Sequence, residues 1–234
     1  STGAAHYFLG GIAIDDRCQT GLAGLFAAGE TTGGLFGAAR LGGAAVAEVL
    51  VFGAIAGREA AAHAAATEAC EPDEAQVREG RARVGALLTG EGPTAEEVTA
   101  RLRALMWRYC GAIKSRGALE TGLRELEQLE ALRPTLRVGS PADLRGGLEC
   151  LNLLTLARPI LLASLLREET RGCFWRHDFP EPRNDAWLRN IHWRLEEGQV
   201  RSRITPVVMT RLTTPTPAPV GAGCFPYLPM DDTP

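Results

Sequence analysis

Three glycine-rich turns crowd the opening stretch of this chain, and each carries an ionisable side chain. They are His6-Tyr7-Phe8-Leu9-Gly10-Gly11, Gly24-Leu25-Phe26-Ala27-Ala28-Gly29-Glu30 and Gly37-Ala38-Ala39-Arg40-Leu41-Gly42-Gly43. Glycine lets a backbone approach a ligand closely and adopt positive φ. A histidine, a carboxylate and an arginine on such turns read as the lining of a cofactor and substrate pocket. Between the turns the apolar runs are too short for helices. Ile12 and Ile14 are expected on one side, Asp15-Asp16-Arg17 as a turn, and Gly24 to Ala28 as a short buried strand. The pattern starts at residue 1, so the site it serves is expected to begin in another polypeptide.

From Ala44 to about Ala66 the pattern turns helical, rich in small residues suited to close packing, and Cys70-Glu71-Pro72-Asp73 reads as a linker. Beyond Glu74 the chain reads as helices alone. Thr94 and Glu97 form a capping box ahead of the Leu102, Leu105 and Met106 stripe. Leu119, Leu123, Leu126 and Leu129 recur at helical spacing. Pro141 suits the first turn of a long apolar helix running to about Glu169, and Pro159 inside it should introduce a kink. Together these predict an antiparallel helical bundle. After Gly172 the chain becomes aromatic, charged and proline-rich, and residues 212–234 read as a wrapping or partly disordered tail.

A length of 234 residues suffices for one large domain or two small ones, and a net charge of −3 gives no electrostatic case for nucleic acid or an acidic membrane surface. The best membrane candidate, Ala44 to Ala56, carries Glu48 and is followed by Arg58 and Glu59, so no direct membrane insertion is expected. The six cysteines are scattered, with no C-x-x-C pair and no zinc-like spacing. Scattered thiols suit a reducing cytoplasm, and no metal site is expected.

Each candidate residue carries a plainer alternative. Arg40 lies between small residues that leave its guanidinium free to grip a carboxylate through two parallel bonds; a surface arginine in a loop reads equally well. His6 can hold a second carboxylate or polarise a carbonyl, although a lone histidine beside aromatics is more often packed. Glu30 follows an apparent strand, where α/β folds place ligand contacts, and its oxygens suit ribose or ribityl hydroxyls; capping a following turn is the alternative. The amides at Ala44, Ala45 and Val46 open a helix and favour anions or carbonyl oxygens. The dense charges from Arg167 to Pro180 read as a structural ion-pair network, with a part facing the pocket as the alternative. His63 and His192 read as surface or packing residues, and Tyr109 has no identifiable partner.

The segments His6 to Gly11, Gly24 to Glu30, Gly34 to Gly43, Val51-Phe52-Gly53 and Arg167 to Pro180, in that order and spacing, resemble the succinate dehydrogenase, fumarate reductase and L-aspartate oxidase family of FAD-dependent enzymes. Arg171-Gly172-Cys173 followed by Trp175-Arg176 looks most like the aspartate oxidases. The resemblance implies an α/β plus all-α fold. Residues 1–70 would form the C-terminal part of a Rossmann-like FAD-binding domain, 74–180 a helical bundle, and 181–234 an extended segment and tail. It also implies FAD as cofactor and oxidation of a small carboxylate-bearing substrate, an amino acid, by hydride transfer to the flavin. A succinate dehydrogenase or fumarate reductase flavoprotein fragment is the alternative, as is a non-catalytic partner. By matching position, His6 and Arg40 would grip substrate carboxylates and Glu30 would bind the flavin's ribityl or ribose. Gly10 and Gly11 would lie by the isoalloxazine, with Ala44, Ala45 and Val46 at its pyrimidine edge.

Several positions depart from the family pattern. Phe36 stands where members usually carry His, Ala39 where they carry Asn, Ala44-Ala45 where they carry Asn-Ser, and Phe174 where they carry His. Each change removes a polar group near the expected pocket, worth roughly 0.5–1.5 kcal/mol per neutral hydrogen bond. No G-x-G-x-x-G for the FAD pyrophosphate is present, and the cap domain with its catalytic arginine has no counterpart. The expectation is a two-chain or cleaved enzyme, a hetero-oligomer in which an N-terminal FAD-binding and cap chain completes the site.

Overall fold

The computed structural model describes residues 6–196 and 199–209. The chain divides into two compact units, Ser1–Glu71 and Pro72–Pro234.

In the first unit, Asp15 shapes the expected turn by accepting the Arg17 and Gln19 amides at 2.9 and 2.8 Å. The buried strand expected from Gly24 to Ala28 is corrected to a single antiparallel bridge between Gln19 and Phe26. Gly24 adopts φ +79 and the Leu25 amide bonds back to Leu22, so the chain turns where a strand would run. Leu25 is accordingly exposed. Ile12 makes a parallel bridge to Thr32, with Ile12 N donating to Thr31 O at 2.9 Å and Gly33 N to Ile12 O at 3.1 Å. Helix α1 spans Ala44–Ala66, as its small-residue pattern predicts. Its buried residue is Glu48, while Val46, Val49, Leu50 and Val51 stay exposed. His63 packs edge-on against Phe26.

The second unit is built on α2 (Glu74–Thr89), α3 (Ala95–Cys110), α4 (Arg116–Glu130) and α5 (Leu144–Leu166). Each of the first three starts under a side-chain cap: Asp73, the Thr94–Glu97 capping box, and Ser115. Leu102, Leu105, Leu119, Leu126, Leu129, Leu154 and Leu161 form one core between α3, α4 and α5, which Leu87 joins from α2. Tyr109 does have a partner, its hydroxyl donating to Glu125 at 2.5 Å.

Two details of the long helix differ from expectation. Pro141 opens a separate 3-10 turn, Pro141–Asp143, where Ser140 Oγ donates to Asp143. The helix stops at Leu166, short of Glu169, because the Arg176 guanidinium takes the carbonyls of Ser164, Leu165 and Arg167. It continues through Pro159 as one element. With its leading turn it is long and apolar enough to cross a membrane by length and composition, a longer candidate than Ala44 to Ala56. In this structure its Cys150, Leu154, Ala157 and Leu161 belong to the core.

Strands β1 (Ile113–Lys114) and β2 (Trp175–Arg176) pair in parallel. After the short α6 (Asn184–Trp187), β3 (Arg189–Glu196) and β4 (Gln199–Pro206) form an antiparallel hairpin, with Ile191 opposite Ile204 and His192 opposite Arg203. That hairpin corrects the extended segment expected from 181 onward. Ile191, Trp193 and Leu195 alternate with polar residues, and a strand carrying cross-strand pairs satisfies its backbone better than a lone extended chain. The tail from 212 lies outside the described residues.

The charge-dense stretch forms the expected ion-pair network. Fully buried Arg176 pairs with Asp178 through two bonds of 2.8 Å, and Asp178 also accepts the Arg116 amide at 2.9 Å. One ion pair therefore places a cation at the C-terminus of α5 and an anion at the N-terminus of α4, each complementing a helix dipole. Fully buried Glu169 accepts from Arg167, twice from Arg171, and from the Arg183 amide.

The Arg176 guanidinium, helped by the Arg116 amide, lowers the Asp178 carboxyl to about 2. A carboxyl depressed from about 3.9 in the unfolded chain adds stability above that value and loses it as pH falls towards about 2. The thermal midpoint should therefore drop between roughly pH 5 and 2, and Asp178→Asn should flatten part of that slope. An identical slope in the variant would remove Asp178 from the acid response.

Candidate cofactor and substrate site

The candidate residues lie in the first unit, on the strand-like segment from His6, the turn at Glu30, the loop before α1 and the start of that helix. Gly11 is required by the chain itself. A Cβ there would sit 2.4 Å from the Thr31 carbonyl oxygen, so the bridge between Ile12 and Thr32 closes only on glycine. Glu30 Oε1 accepts the Phe8 amide at 2.8 Å and thereby ties the His6 segment to the turn after Gly29. Its capping alternative is thus realised across the chain rather than on a following turn, and the carboxylate stays exposed. His6 is exposed and makes no hydrogen bond to another described residue. Gly10 is exposed, with the Phe8 ring next to it.

Gly43 caps α1 with φ +82, a left-handed conformation that strains any residue with a Cβ. No side chain caps this helix, unlike α2, α3 and α4. The Ala44 and Val46 amides reach the carbonyls of Leu41 and Gly43 at 3.2 Å. Around this helix start, Leu41 and Val46 present exposed apolar surface.

Arg40 is held differently from a loose surface arginine. Its guanidinium carbon lies 4.4 Å from the centre of the Tyr7 ring, and Nη1 donates to Leu41 O at 3.1 Å. Its Nε is buried and has no partner among the described residues. A buried guanidinium N–H without an acceptor is costly. The structure therefore brings Arg40 and Tyr7 together, with Tyr7 directly following His6 in the chain.

Sequence reasoning missed what lies beneath. The Tyr7 hydroxyl donates to Glu48 at 2.5 Å, from a helix 41 residues further along, and the Phe36 ring meets Tyr7 edge-on at 5.7 Å. Phe36, where the resemblance implies a histidine, thus packs against the aromatic platform under Arg40. Glu48 did carry a signal: a lone carboxylate in an apolar small-residue helix needs a partner. Phe174, another position where the resemblance implies a histidine, lies against the Lys114 ammonium at 5.0 Å, in the second unit.

Residues 99–220 match the family described as fumarate reductase flavoprotein C-term, and residues 2–46 match an FAD binding domain. An uncharacterised FAD-dependent oxidoreductase of Methanocaldococcus jannaschii is 36% identical over 192 residues, 80% of this chain and 34% of that protein. One subunit of the fumarate reductase (CoM/CoB) of Methanothermobacter marburgensis is 36% identical over 191 residues, covering 80% and 35%. Among solved structures, a variant of E. coli quinol fumarate reductase FrdA superposes with a TM-score of 0.81 at 28% identity, over 92% of this chain and 38% of that one. The chain thus spans about a third of the length of the curated relatives it matches. The fumarate reductases among these relatives give the preference for aspartate oxidases no support, and Arg171 and Arg176, on which it rested, are engaged in the buried ion network. With more than half of its length inside the C-terminal match, the chain belongs to the succinate dehydrogenase and fumarate reductase flavoprotein family, whose cofactor is FAD.

Proposed function

We propose that this chain supplies the carboxylate-gripping wall of a fumarate reductase-type flavoenzyme acting on a small dicarboxylate, completed by a nucleotide-binding portion and partner chains. The observation that carries the reading is Arg40, seated on Tyr7 with a buried Nε that lacks an acceptor among the described residues. The fumarate reductases among the relatives favour fumarate over an amino acid as substrate.

The residues present fit FAD. The uncapped start of α1, the open backbone at Gly42 and Gly43, the exposed Glu30 carboxylate and the bare Leu41 and Val46 side chains suit a flat ring with a polar edge and a hydroxylated tail. Bound FAD supplies a two-electron carrier that accepts or delivers a hydride. Arg40 would hold one substrate carboxylate through parallel N–H bonds, and His6 would donate to the other or to the carbonyl edge. Glu30 would accept from a ribose or ribityl hydroxyl with the oxygen that Phe8 leaves free. The Ala45 amide would face the ring's pyrimidine edge, with Ala44 and Val46, whose own amides reach Leu41 and Gly43, packed beside it and Gly10 and Gly11 alongside. Holding the dicarboxylate at both ends fixes its central carbons against the ring, which is how positioning lowers the barrier.

Fumarate added to the dithionite-reduced holoenzyme should restore the oxidised flavin spectrum at least about tenfold faster than a buffer blank. Aspartate added to the oxidised enzyme should leave the spectrum unchanged. Bleaching by aspartate with no response to fumarate would overturn the reading in favour of an amino-acid oxidase.

A further inference from the structure

The contacts under Arg40 form a stack with a buried foundation. Glu48 is 4% exposed, the buried residue of an apolar helix whose other residues are half-buried or exposed. Its carboxylate accepts the Tyr7 hydroxyl, the Phe36 edge closes on the same ring, and the Arg40 guanidinium lies across the ring face. A ring held at its hydroxyl by a helix and at its edge by a second aromatic has little freedom to rotate. A guanidinium over a ring face is attracted by the ring's electron density, and the planar fork loses less entropy when its plane is already fixed.

We propose that Tyr7 is a positioning residue which, anchored by Glu48, holds Arg40 in the orientation that receives a substrate carboxylate. The inference rests on the proposal that Arg40 grips that carboxylate. Bonding to Glu48, joined by burial and the nearby negative charges, raises the Tyr7 phenol to about 12. The hydroxyl therefore keeps its proton throughout the physiological range and donates without interruption. The Glu48 carboxylate also places a negative charge at the hydroxyl end of the ring, which adds to the attraction for the guanidinium over its face. Neither group need touch substrate. Their effect passes through Arg40, and that makes the proposal testable by coupling.

Steady-state fumarate reduction by the holoenzyme reads it out, with flavin content and thermal midpoint measured alongside. Tyr7→Leu, which removes the platform, should raise KM by about five- to tenfold while kcat falls much less. Tyr7→Phe keeps the ring but loses the Glu48 anchor, and should recover only part of that loss. In an Arg40→Ala background, Tyr7→Leu should add nothing, because the residue through which it acts is gone. A Tyr7→Leu effect that persists undiminished in that background, or no effect in the parent, overturns the proposal while leaving Arg40 in place. An Arg40→Ala enzyme with unchanged KM instead sinks the underlying reading. Should Tyr7→Leu lose its flavin, Glu48→Gln carries the same test. It should raise KM by about threefold in the parent and not at all beside Arg40→Ala; any other pattern counts against the proposal.

Discussion

Replacing Arg40 with alanine should raise the KM for fumarate by about a hundredfold, close to 3 kcal/mol of lost carboxylate binding. Flavin content should stay full. The magnitude follows from removing one partner of the proposed two-bond ion pair, which leaves the substrate carboxylate without its charged partner. Flavin content should hold because Arg40 is oriented by Tyr7 and the Leu41 carbonyl, and that carbonyl keeps the Ala44 amide at the start of α1 when the guanidinium is removed. Arg40→Lys should recover only part of the loss, because an ammonium is a point charge without the planar fork. Steady-state kinetics on flavin-normalised enzyme decide the matter. A KM within about threefold of the parent would take Arg40 out of the site.

Glu169→Gln should be the most damaging single change in the second unit, lowering stability by about 3–5 kcal/mol. For a body of this size that corresponds to a thermal midpoint lower by roughly 10 °C. Glu169 is fully buried and accepts from two guanidiniums and the Arg183 amide. An amide keeps one acceptor oxygen and turns the other position into a donor facing Arg171 and Arg183. Two cations would then share an interior with no anion between them. Calorimetry of the variant checks the figure. A midpoint within about 2 °C of the parent would mean that the ring of arginines finds compensation elsewhere, for instance Arg171 on Asn184.

The two units differ in how much their sequence reveals. Local signals carry the second: Thr94 and Glu97 close their box within one helical turn, and Leu119, Leu126 and Leu129 declare the inward face of α4. The α1 limits are equally plain, because a run of alanines between glycine and a charged linker has few ways to fold. The Arg176 cap on α5 is out of reach. Nothing in the local pattern says that a guanidinium ten residues beyond Leu166 will collect that helix's last carbonyls. The β3–β4 hairpin has a legible period-2 signal at Ile191, Trp193 and Leu195, which the surrounding charges and prolines obscure. At the site, residue types point to Arg40 and His6. The supporting pair does not show itself, because Tyr7 and Glu48 are 41 positions apart and their bond obeys no periodicity.

A helix whose one interior side chain is a carboxylate carries a thermodynamic signature of its own. Part of the free energy that could steady α1 resides in Val46, Val49, Leu50 and Val51, and these contribute only when some surface shields them from water. Any surface that shields them adds to the helix's persistence by mass action. Since Glu48 rides on that same rod, Arg40 inherits the dependence: whatever steadies α1 from outside also tightens the grip on substrate.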